Sequence, residues 1–101
     1  MSTQKPTMHT CTRADANRVL QLLTENAIDA VIVGDLLYKD VSGDIDILVK
    51  SPYSARLRQR LLKILTPLEM HESAHVNYVR YVQTPFGNVD VFFNPYESSV
   101  S

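Results

Sequence analysis

Val41-Ser42-Gly43-Asp44-Ile45-Asp46-Ile47-Leu48-Val49 is an apolar, β-branched run interrupted by two aspartates two positions apart. Successive side chains of an extended chain face opposite ways, so Asp44 and Asp46 share one face while Ile45, Ile47 and Val49 take the other. Asn88-Val89-Asp90-Val91-Phe92-Phe93 has the same character, with Asp90 set against Val89, Val91 and Phe93. Carboxylates in such strands are costly unless something cationic meets them. Three of them, offering only oxygen, suit Mg²⁺.

Working outward, Thr12 followed by Asp15 marks a helix start. Ala16, Val19, Leu20, Leu22 and Leu23 then repeat at helical spacing until about Asn26. Ala30-Val31-Ile32-Val33, ending at Gly34, reads as a short central strand. Asp35 to Gly43 is a turn, and the aspartate-bearing strand runs from Asp44 to about Lys50. Ser51-Pro52 predicts a second helix, with serine as cap and proline in the first turn. Its buried face would hold Tyr53, Leu57, Leu61, Ile64 and Leu65, and Arg56, Arg60 and Lys63 would lie opposite, before Pro67 ends it. His75 to Gln83 alternates as a strand, Thr84 to Asn88 turns, and Val89 to Phe93 returns as a hairpin partner. An extra strand near Leu68 to His71 fits the same pattern. The predicted class is α/β or α+β: a mixed sheet of four or five strands with two main helices in the order α-β-β-α-β-β, the helices on one face.

The 101 residues make one small domain, read as residues 13–96 between a flexible tail (1–12) and a short end (97–101). At 45% hydrophobic residues the chain is globular rather than disordered. A net charge of −1 provides no broad basic field for nucleic acid. Cys11 is the single cysteine, which rules out an internal disulfide and points to a reducing, cytoplasmic setting. No apolar run approaches a membrane span.

The ordered set of Val31-Ile32-Val33-Gly34, Asp44-Ile45-Asp46 and Val89-Asp90-Val91 resembles the minimal nucleotidyltransferases of the DNA polymerase β-like superfamily. The likeness spans roughly Ala30 to Phe93. It implies a nucleotidyltransferase-like fold. It also implies transfer of a nucleoside monophosphate from a nucleoside triphosphate (NTP) to a hydroxyl on a protein, RNA or small molecule. On that basis Asp44 and Asp46 would hold two Mg²⁺ ions, and Asp90 would bind the first and help take the proton from the nucleophile. Gly34, Asp35, Lys39, Ser42 and Gly43 would lie along the triphosphate, with Lys50 and Arg80 as further phosphate partners. A partner protein or a second copy would complete the acceptor site. The chain departs from the family at Asp35, where the pattern has a phosphate-holding serine. A catalytically silent relative, acting as a binding module or antitoxin-like partner, is the alternative from another class.

Simpler readings stand beside these. The simpler reading of the three aspartates is solubility charges on strand ends or edges, and their agreement with one ordered pattern favours the metal site over it. A calcium loop from Asp40 has its glycine misplaced and Ser51 where a bidentate glutamate is required. His71 and His75 have helical ligand spacing in a stretch that reads as extended, and further zinc ligands are not apparent. Arg56, Arg60 and Lys63 describe a solvated helix face, and Cys11 has no partner for nucleophilic work.

Overall fold

The computed structural model describes residues 10–73 and 77–94. In chain order the elements are β1 (Cys11–Thr12), α1 (Arg13–Glu25), β2 (Ala30–Val33), a 3-10 turn (Gly34–Leu37), β3 (Val41–Ser42), β4 (Asp44–Val49), α2 (Ala55–Leu65), β5 (Glu69–Glu72), β6 (Tyr78–Thr84) and β7 (Gly87–Phe93). The class is mixed α+β. A five-stranded sheet has the order β2-β4-β7-β6-β5, and β1 and β3 form a separate two-stranded ribbon.

Helix α1 begins where Thr12 and Asp15 cap each other. The Thr12 hydroxyl accepts from the Asp15 amide at 3.1 Å, and the Asp15 carboxylate accepts from the Thr12 amide at 3.0 Å, which satisfies two of the free amides at the helix start. Helix α2 starts at Ala55, three residues later than Ser51-Pro52 suggests, because the Ser54 hydroxyl takes the Leu57 amide at 3.1 Å. Tyr53 therefore precedes the helix instead of lying on its face. Its hydroxyl meets Glu72 at 2.5 Å and its ring meets the Phe93 ring edge-on at 5.4 Å. Thr66, left-handed at φ 46°, closes α2 ahead of Pro67.

Strand β2 pairs antiparallel with β4, β4 runs parallel to β7, and β6 pairs antiparallel with both β7 and β5. The parallel β4–β7 pair needs a long connection, and α2, β5 and β6 supply it. The expectation of a central strand at Ala30–Val33 is corrected: β2 is an edge strand. Its apolar sequence has another cause, since Ala30 and Ile32 pack on the core while Val31 stays exposed.

The core lies on one side of the sheet. Ile45, Ile47 and Val49 of β4, Val89, Val91 and Phe93 of β7, and Val79 and Tyr81 of β6 are buried with Ala16, Val19, Leu23, Leu61 and Leu65 of the helices. Alternation then leaves Asp44, Asp46, Asp90, Tyr78 and Arg80 on the other face. Register aligns Val33, Asp46, Asp90, Arg80 and His71 in one row across all five strands.

Strand β1 takes in the last two residues of the stretch expected as tail, because the Cys11 side chain is fully buried. The expected strand start at His75 and Val76, and the chain from Pro95 on, lie outside the described residues. No described helix is long and apolar enough to cross a membrane.

Candidate functional site

Asp46 and Asp90 face each other in register on adjacent parallel strands, with Asp44 two residues before Asp46 on the same face. Asp90 is 7% exposed, the most buried of the charged residues described. It accepts from the Tyr78 hydroxyl at 3.1 Å, and the Arg80 Nη1 stands 3.4 Å from the same oxygen. The second guanidinium nitrogen, Nη2, lies 3.3 Å from Asp44 Oδ1. Arg80 thus spans Asp44 and Asp90, and among the described residues no cation pairs with Asp46.

Asp46 responds electrostatically. Burial, then repulsion from Asp90, a hydrogen bond to Asp90 and the further charges of Asp44 and Asp35 raise its pKa from 3.8 to about 6. Burial raises Asp90 as well, opposed chiefly by Arg80 and by the Tyr78 hydrogen bond. Below about pH 6 Asp46 carries a proton that the Asp90 carboxylate can accept.

Gly34 closes the other side. It sits at φ +75°, and a Cβ there would collide with the Asp46 carboxylate, so this position takes glycine for both conformation and space. Asp35 opens the 3-10 turn behind it, where its carbonyl accepts from the Tyr38 and Lys39 amides at 3.1 and 2.8 Å, and its charge is felt at Asp46. Ser42 bonds to the Asp44 amide at 3.5 Å. A Cβ at Gly43 would meet open space, so crowding does not require glycine there. The Lys39 carbonyl accepts from Arg13 at 3.0 Å, which anchors that loop to α1. Lys50 follows the far end of β4, four residues past Asp46.

The structure therefore brings together Asp44, Asp46, Asp90 and Gly34, with Asp35 at the margin. It adds Tyr78 and sets Arg80, expected as a phosphate partner, against Asp44 and Asp90; sequence alternation puts both on one strand face without linking them to Asp90. That link comes from the β6–β7 register, which includes an irregularity between Tyr81 and Thr84. Arg60 stays on the exposed face expected for it and from there donates to the Asn26 carbonyl at the end of α1. Cys11 is buried against the Gly43 and Phe86 carbonyls, and burial pushes its thiol pKa up, opposite to what a nucleophile needs.

The donor set bears on metal binding directly. Three carboxylates on one face, two of them in register, offer hard oxygen ligands of the kind Mg²⁺ takes, and their mutual repulsion at Asp46 is not offset by Arg80, which lies on the other two. No three acidic, histidine or cysteine side chains among the described residues enclose a ready ion position. No protein-family model matches the chain, and no curated protein matches it.

Proposed function

We propose that the protein is a metal-dependent nucleotidyltransferase that moves a nucleoside monophosphate from an NTP to a hydroxyl on a protein, RNA or small-molecule acceptor. What carries this reading is the register that sets Asp46 against Asp90, with Asp44 beside them and the glycine turn at Gly34 against Asp46. Asp44 and Asp46 would hold two Mg²⁺ ions, and Asp90 would share the first. Bound there, the metal supplies charge that activates a hydroxyl and stabilises leaving pyrophosphate. Gly34, without a side chain, lets donor phosphates approach the backbone, flanked by Asp35, Lys39, Ser42 and Gly43. In the reaction the acceptor oxygen bonds to the α-phosphorus, the bond to the β-phosphate oxygen breaks, and Asp90 takes the hydroxyl proton. Tyr78 positions Asp90 for that role through its hydrogen bond. A partner protein or a second copy would contribute the acceptor contacts. A cytoplasmic setting, where NTP and Mg²⁺ are both supplied, goes with this chemistry.

A second reading has its own support. Asp35 stands where a phosphate-holding serine belongs, and its charge adds to that of Asp46, which favours a silent binding module or antitoxin-like partner. Incubation with Mg²⁺ and each labelled NTP, with and without a copurifying partner, separates the two. Transferase activity appears as pyrophosphate release and label transfer, both lost in Asp44→Asn/Asp46→Asn. Absence of turnover with every NTP, in a protein that still binds its partner, would establish the silent reading.

A further inference from the structure

Arg80 is the one cation among the described residues that bridges two of the site carboxylates. It sits in the same cross-strand row as Asp46 and Asp90, directly paired with Asp90. Its side chain is 36% exposed, so one end faces solvent while the guanidinium spans Asp44 and Asp90. Neither contact is short, at 3.3 and 3.4 Å, and neither is the bidentate fork that makes an arginine–carboxylate pair strong. The contact to Asp44, open to solvent on both sides, is weak and exchangeable, while the one to the buried Asp90 is held only at its edge by a single nitrogen. The guanidinium thus occupies ligand oxygens that a divalent cation would use, without being locked to them.

We propose that Arg80 is a resident counter-ion of the site. It competes with divalent cations for Asp44 and Asp90, and once displaced it turns to the phosphates of the incoming nucleotide. The inference rests on the metal-site reading above and adds a regulatory consequence. Metal alone binds weakly because it must displace a positive charge. Metal and nucleotide together bind cooperatively because the displaced guanidinium gains a new anion. The row geometry favours this over a purely structural role. A structural arginine would be expected to tie down an element end, as Arg60 does when it donates to the last turn of α1, whereas Arg80 lies among the acids on the face that no described helix covers.

The test is Mn²⁺ binding to the nucleotide-free protein, followed by electron paramagnetic resonance of the free ion, in wild type, Arg80→Gln, Arg80→Lys and Asp44→Asn/Asp46→Asn. Arg80→Gln should bind Mn²⁺ about tenfold more tightly than wild type, the size expected when a weak pair of ion contacts no longer competes. Arg80→Lys, which keeps the charge, should stay near wild type. The same Arg80→Gln protein should bind a non-hydrolysable NTP with Mg²⁺ more weakly than wild type. Binding that depends on the aspartates yet is unchanged in Arg80→Gln would overturn the counter-ion role and leave the metal site standing. No aspartate-dependent binding in any of the proteins would overturn the metal site itself, and the counter-ion role with it. Should Arg80→Gln fail to fold, the Arg80 Nε–H signal of wild type in nuclear magnetic resonance decides. It should move on Mg²⁺ addition and again with nucleotide, and a signal unmoved at saturating Mg²⁺ would refute displacement.

Discussion

At the scale of single residues, Asp46 is where stability and function oppose each other. In the folded chain it keeps a proton to about pH 6, against 3.8 as its ordinary value. Between those values the folded state binds more protons than the unfolded one, so this group's contribution to stability falls as pH rises from about 4 to about 6 and stays low above that. Asp90, also raised by burial, acts in the same direction. Asp46→Asn removes the ionisation and keeps a donor for Asp90. After allowance for solvent screening of this half-buried group, the substitution should stabilise the metal-free protein by about 1 kcal/mol at pH 7.5. It should have little effect near pH 4. Urea melts at both pH values check this. Equal melts for variant and wild type at pH 7.5 would mean that the carboxylate is not under strain. Gly34 bears on the same point, because its missing side chain is what lets the turn close onto Asp46.

At the scale of elements, the start of α1 couples helix to ribbon. Thr12 is at once the cap of α1 and the end of β1, paired with Val41, and Arg13 of the first turn reaches the Leu36 and Lys39 carbonyls at 3.1 and 3.0 Å. Thr12→Ala should cost about 1 kcal/mol, a fall in melting temperature of about 4–8 °C for a domain this size, read by thermal circular dichroism. An unchanged melt would show that the cap adds nothing beyond the pairing. This capping box is legible in sequence because its partners are three residues apart. The start of α2 is less so, since Ser51-Pro52 and Ser54 both resemble caps and only packing of Tyr53 on Phe93 and Glu72 decides between them. The buried face of β4 follows from alternation alone. The edge position of β2 does not, because strand order depends on pairings remote in sequence and an apolar run reads the same at a centre or at an edge covered by a helix.

For the whole molecule, one asymmetry organises the rest. Both helices share a core with one face of the sheet, and the uncovered face gathers the acids, Tyr78 and Arg80. The three aspartates could be picked from the sequence because each breaks an apolar strand. Their meeting depends on the parallel β4–β7 pair, which no local pattern encodes. The part played by Arg80 was hidden for a related reason: its neighbour in the row is fixed by a hairpin with an irregular register. The most direct measurement is an anomalous difference map from crystals soaked in Mn²⁺. The proposed function requires a peak bounded by Asp44, Asp46 and Asp90, and the counter-ion role adds that the Arg80 side chain is withdrawn from Asp44. A soaked crystal with no peak there, and Arg80 still lying across the two carboxylates, would contradict it.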